Sequence, residues 1–245
     1  MDIHKPKPFH NWREFLKEYA IIVLGVATAL AAEQAVEKLH NRTQATQARQ
    51  NIQSEIITNI NLITVRNHTE KCVSRRLDEV NELVSAISSG NVPKGPIWVG
   101  HPFMGAMNDS QYRSAIQSGA TDLLPNKEQA AYATIYSEFA QYHQAELEEQ
   151  AAWGDLRTLE SPMPNAPAIL WQLRSALQKA RTQRWLMEVS EWDLRNNASA
   201  MGIKITDRGP RFTLPSACIP LHTDRTEGEK LVVQGRQARV TFDEP

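Results

Sequence analysis

The chain has 245 residues with 27 lysines and arginines, 28 aspartates and glutamates and a net charge of -1, so it offers no excess of either sign to a polyanion. That balance excludes a nucleic-acid surface, and the length suits one good-sized domain or two small ones. Two cysteines make no disulfide framework, although an oxidising compartment permits one bridge.

The first element in chain order is the uncharged apolar run from Tyr19 to Ala32, YAIIVLGVATALAA, with charged residues close on both sides. As a helix it reaches roughly 21 Å, short of the roughly 30 Å hydrocarbon core of a bilayer. Phe15, Leu16, Ala35 and Val36 extend its apolar character and the Lys17 stem can snorkel to the headgroups. Residues 15–36 can therefore cross, with Glu18 and Glu33 near the two faces. Three readings fit the run: an uncleaved anchor, the core of a cleaved secretory signal, and a buried helix of a soluble protein. Ala29-Leu30-Ala31 matches a small-x-small processing site, but the segment ahead of the run is long for a signal and no helix breaker follows Ala32. The expectation is an anchor at 15–36 behind a tail at 1–14. Lys5, Lys7, Arg13 and Lys17 precede the run while Lys38, Arg42 and Arg49 follow it, a bias that predicts a cytoplasmic N-terminus and a body on the other side. Within the run Ala27, Ala31 and Ala35 recur every four residues, and Gly25 and Ala29 form a second such pair. Small residues at this spacing let helices approach closely in lipid, so these five are a candidate packing face; the competing reading is that alanine is simply common in short membrane helices.

From Trp12 to about Ser88 there is no proline and Gly25 is the sole glycine, so the anchor helix is expected to continue outward as a stalk. Ala45, Ala48, Ile52, Ile56, Ile60 and Ile63 share a face, and Val73, Leu77, Val80, Val84 and Ile87 follow at alternating four and three spacing. This stripe is expected to pack on the protein's own later helices rather than in a free coiled coil. Ser88 to Pro93 ends the helix, and residues 93–108 form a Pro/Gly-rich connection holding Trp98 and Phe103. A short helix is predicted over Asp109 to Ser118. Asn126 is a plausible N-cap for a helix to about Leu159, with Tyr132, Ile135, Tyr136, Phe139 and Tyr142 on its aromatic face. After the SPMPNAP break, Ala168 to Met201 carries the most regular seam, in which Leu173, Leu177, Ala180, Met187, Leu194 and Ala198 are interrupted by Arg184 and Glu191. Such a seam is a bundle interface, and charges on it look for partners on other helices. Past Gly202 the tail, 203–245, reads as irregular, with KLVVQGRQARVTF suited to a small hairpin. The predicted fold is all-α: an N-terminal transmembrane helix continuing into a helical bundle at 37–202, with an irregular C-terminal tail.

His68 and Cys72 sit one helical turn apart, and Cys218 and His222 repeat the spacing in reverse. Two such pairs could make a tetrahedral zinc site, but a Cys72–Cys218 disulfide or two unpaired thiols are the better readings. Glu37 and His40 match one piece of a di-iron bundle motif whose second copy is missing, so a solvated turn is expected there. Glu146, Glu148 and Glu149 face the option of pairing with Arg174, Lys179, Arg181 and Arg184 on an antiparallel neighbour, against the default of solvated faces. The chain contains no nucleophile elbow, zincin motif, phosphate loop or dinucleotide fingerprint. No catalytic, cofactor-binding or metal residue is therefore expected.

The stretch WREFLKEYAIIVLGVATALAAEQAVEKLHNR resembles the start of uncharacterised bacterial proteins with one N-terminal membrane span and a helical extracytoplasmic body. CVSRRLDEV and SGATDLLPNKEQAAYATIY are similar to segments of the same group. The resemblance implies attachment to the inner membrane, a periplasmic all-helical body and no assigned catalytic residue. The functional expectation is a membrane-anchored, non-enzymatic scaffold or interaction module whose partners are the lipid bilayer and either a second copy or another membrane protein. The alternative is a ligand-binding sensory domain, since bundles commonly hold pockets between helices. The short tail ahead of the anchor would oblige such a sensor to act through a membrane partner.

Overall fold

The computed structural model describes residues 12–92, 94–161, 166–205 and 215–237, and every regular element among them is helical. In chain order these are α1 (Trp12–His68), α2 (Glu70–Ser88), α3 (Ser110–Gln117), α4 (Asn126–Leu156), α5 (Ala166–Ala200) and α6 (Arg225–Gln237). Single 3-10 turns lie at Ala120–Leu123, Arg157–Glu160 and Ser216–Cys218. The fold is all-α.

The first helix runs unbroken for 57 residues, and the apolar stretch at its start is exposed throughout. Ala48 is its first buried residue, followed on the same face by Ile52, Ile56, Ile60 and Ile63. The helix does not continue to Ser88 as the sequence suggested. It breaks at Thr69, whose amide and hydroxyl both bond the Arg66 carbonyl, at 2.9 and 2.6 Å. A hydroxyl that returns to a nearby carbonyl offers the chain an alternative to the helical ladder.

The packing order follows from pairs between elements. Arg49 meets Glu128, Glu55 meets Tyr136 and Arg66 meets Glu149, so α1 and α4 run parallel. Asp155 meets Gln172, Glu148 meets Gln183 and Glu138 meets Asn197, so α4 and α5 run antiparallel. The stripes expected to pack on later helices do so, in two apolar clusters. One joins the α1 isoleucines to Tyr132, Ile135, Phe139 and Tyr142 of α4 and to Met187, Leu194 and Ala198 of α5. The other joins Val73, Leu77, Val80 and Val84 of α2 to Trp153 and Leu156 of α4 and to Leu173 and Leu177 of α5. Between them lies a belt of charge at the α1–α2 break.

Two local expectations need correcting. Pro125, not Asn126, occupies the N-cap position of α4, in extended geometry with φ -57° and ψ 140°, and its carbonyl accepts from Glu128 and Gln129. Proline presets that φ and loses nothing by lacking a donor before a helix. In the tail, KLVVQGRQ belongs to α6 rather than a hairpin, and the rest of that predicted hairpin, from Ala238, lies outside the described residues. Asp224 starts α6 by accepting the Glu227 amide on its side chain at 3.0 Å and the Gly228 amide on its carbonyl at 2.9 Å. Gly228 is buried against the Trp98 ring, where an added Cβ would lie 2.4 Å from Cε3. The tail is thus helical in part, docked on the connection between α2 and α3.

Candidate functional site

Buried charges in this bundle act on backbone. Glu55 on α1 accepts the amides of Gln111 and Tyr112 at 2.8 and 3.2 Å, as well as the Tyr136 hydroxyl at 2.6 Å, and so holds the N-terminus of α3. Asn59 exchanges two bonds with the backbone of Asn108, at 2.7 and 3.0 Å. Glu146 accepts from Gly105 N at 2.8 Å, Arg66 donates to the Phe103 carbonyl at 2.9 Å, and Glu160 accepts from Val99 and Gly100 at 3.0 and 2.9 Å. Arg76, 1% exposed, donates to the carbonyls of Trp98, Val99 and Ile219. Residues 98–108 thereby form a strap bound along the bundle by side chains of α1, α2, α4 and the 3-10 turn at Arg157–Glu160. A chain without secondary structure of its own must place its amides and carbonyls somewhere when buried, and here they go to charged groups.

Burial has its electrostatic signature. Desolvation raises the Glu146 carboxyl above its ordinary range, with Gly105 N–H, His143 and Arg66 pulling it back. The same cause raises Glu149, opposed first by Arg66, and lowers Arg76, opposed by Glu79. Arg66 Nη2 reaches both Glu149 oxygens, at 2.7 and 2.6 Å, with both side chains almost wholly buried.

At the break between α1 and α2 a cleft of about 260 Å³ opens between α4 and α5, lined by Arg66, Glu70, Tyr142, Arg184, Met187 and Glu191 among others. Arg184 bonds Glu70 at 3.0 Å, while Glu191 bonds Asn67 and, at 2.7 Å, Arg195. The two charges that interrupt the α5 seam therefore find partners on the α1–α2 rod. Arg184 Nε is buried without a hydrogen-bond partner. Burial raises Glu70 despite Arg184 and Arg66, and raises the Tyr142 phenol. The cleft juxtaposes the cations Arg66 and Arg184 with the carboxylates Glu70, Glu188 and Glu191.

The candidate packing-face residues Gly25, Ala27, Ala29, Ala31 and Ala35 are exposed on α1, and a Cβ added at Gly25 would meet nothing within 4 Å. Cys72 and Cys218, 146 residues apart, are joined in a disulfide with Cα atoms 5.1 Å apart, tying α2 to the tail. No group of three or more His, Cys, Asp or Glu side chains among the described residues could hold a metal ion, and Glu37 and His40 are exposed. Of the acidic stretch on α4, only Glu148 behaves as a surface group, 3.8 Å from Lys179. Glu146 and Glu149 are buried, contrary to the solvated default, because the strap and Arg66 supply partners that helix periodicity does not reveal. Arg181 pairs with Asp78 and Arg184 with Glu70, both on α2 rather than α4.

One surface escaped the seam-based reading of α5. Trp171, Ser175, Gln178, Thr182, Trp185, Val189, Trp192 and Asn196 form a second stripe at alternating four and three spacing, on the outer side. All eight are exposed and none is charged, with the tryptophans 74%, 59% and 68% exposed. Three tryptophans at multiples of seven were the legible signal. In comparisons with known proteins the chain matches no family model, no curated protein and no solved structure.

Proposed function

We propose that this chain is a bacterial inner-membrane protein with a single span and a periplasmic helical body, working as a non-enzymatic scaffold or interaction module. The observation that carries the reading is in α1. An 18-residue window with mean hydropathy 1.7 is wholly unburied, yet it belongs to the same continuous helix that becomes core further on. Such a surface is costly in water, whereas lipid would cover it, anchor the chain and hold the body off the membrane at a set height. The Cys72–Cys218 bridge supports an oxidising compartment for the body. Engagement of the buried charges with backbone supports a rigid platform over a reactive site. Alkaline carbonate washing should leave the full chain in the membrane pellet, and protease should reach the C-terminal side only after the outer membrane is opened. Recovery of uncleaved chain in the soluble fraction would overturn the reading.

The cleft beside Arg66 and Arg184 favours a second reading, a sensory body that binds a small polar ligand and acts through a membrane partner. Its test is a thermal-shift series with amino acids and dicarboxylates, in which a saturable shift abolished by Arg184→Leu would replace the scaffold with a sensor.

A further inference from the structure

We propose that the outer stripe of α5 docks an amphipathic helix of a different protein, whose flanking residues are acidic beside Arg174, Lys179 and Arg181 and basic beside Glu188 and Asp193. The proposal deepens the interaction reading above and rests on it. A solvent-facing helix surface ordinarily carries lysine and glutamate, and this one carries tryptophans separated by Ser, Gln, Thr and Val. Its three indoles expose about 300–500 Å² of largely apolar surface, at the upper end of patches on a lone protein and below the roughly 800 Å² per partner of a stable interface. A single helix laid into the notches between the indoles fits that size, and such docking is a recurring recognition mode.

Two other occupants fit poorly. A lipid surface is out of reach, because Arg195, one turn from Trp192, touches Thr64, which lies roughly 40 Å along the helix beyond the end of the anchor at Val36. A second copy anchored in the same membrane must stand parallel. In that register the residues flanking the stripe bring Arg174 against Lys179 of the other copy and Glu188 against Asp193, like charges at both levels. What remains is a partner of complementary pattern. The basic half is partly neutralised within the chain, Lys179 by Glu148 and Arg181 by Asp78, but these pairs are exposed and exchangeable.

The test uses the full chain in nanodiscs of zwitterionic lipid and three labelled helical peptides with one leucine stripe. One is acidic in one half and basic in the other, one is acidic throughout and one basic throughout. Fluorescence anisotropy, with empty nanodiscs subtracted, should show the bipolar peptide binding at least about tenfold more tightly than either uniform one, a preference that fades near 1 M salt. Trp185→Ser with Trp192→Ser should abolish that binding while circular dichroism and membrane association stay unchanged. Arg174→Glu with Lys179→Glu should transfer the preference to the basic peptide. Equal binding of all three peptides, binding that survives loss of both tryptophans, or no binding would overturn the proposal. So would crosslinking of two chains through a cysteine placed at Trp185, which would assign the stripe to a second copy. Loss of the chain from the membrane fraction would instead defeat the anchor reading, which these variants leave untouched.

Discussion

The two halves of α1 belong to one helix and face opposite problems. From Phe15 to Val36 the apolar side chains lie all round the circumference, with Ile21, Leu24 and Val36 69%, 68% and 67% exposed among the described residues. From Ala48 onward a single face is apolar, Ile52, Ile56 and Ile60 being 0% exposed, and the polar residues beside it, Glu55, Asn59 and Arg66, are buried as well. All-round apolarity calls for an apolar medium; a one-sided stripe calls for the rest of the protein. The second half shows also that a stripe is not enough, since its neighbours at Glu55, Asn59 and Arg66 are what bind the strap and the start of α3.

The largest effect is expected in the first half. Val26→Asp with Leu30→Lys should release the chain from carbonate-washed membranes, because each charge near the bilayer centre costs about 2.5–3.5 kcal/mol. The same pair should leave the melting temperature of the body unchanged, and a shared loss of both would show that the halves are not independent.

In the second half the ion pair at the end of α1 gives the next largest effect. Arg66→Leu alone should cost about 3–5 kcal/mol in chemical denaturation by stranding Glu149, whereas Arg66→Leu with Glu149→Leu should recover most of it. Equal losses in the single and double variants would mean that the Phe103 contact, and not the pair, dominates. Just past the break, Cys72→Ser should lower stability by about 2–4 kcal/mol, and a thiol-reactive mass tag should label the denatured wild type twice after reduction and not at all before.

The carboxylate that holds Gly105 tests the strap from the side of α4. Burial raises the folded-state pKa of Glu146 above 4.5, so its neutral form suits the fold better. Its favourable contribution is present below the unfolded value and lost as pH rises through the folded one. Glu146→Gln keeps an acceptor for Gly105 N and removes the ionisation. The melting temperature of the variant relative to wild type should therefore increase between about pH 4 and about pH 7. A constant or falling difference would show the charge to be fully compensated by Arg66 and His143. The smallest effect belongs to the α5 stripe, where Trp185→Ser should alter stability by no more than about 0.5 kcal/mol, as suits a side chain that the fold does not use.

Much of the fold was legible because helical periodicity is local. The stripe from Ala48 to Ile87, the aromatic face of α4 and the apolar seam positions of α5 can each be read from spacing alone and are buried, while the apolar run of α1 is legible from composition and stays exposed. Spacing also marked Arg184 and Glu191 as needing partners on other helices. It could not name Glu70 and Asn67, because which helices become neighbours depends on the whole packing arrangement.

From the sequence alone came the long apolar helix, the all-helical body, and the places where most helices stop. Those follow from side-chain patterning and from proline and glycine within a few turns of the residue concerned. Tertiary structure alone decided that α6 replaces a hairpin, that Glu55, Arg66, Arg76 and Glu146 serve the strap and the start of α3, and that Cys72 meets Cys218. The physical reason is common to all three. Each depends on a group brought from a distant part of the chain, such as Trp98 against Gly228, and no local pattern encodes that arrival.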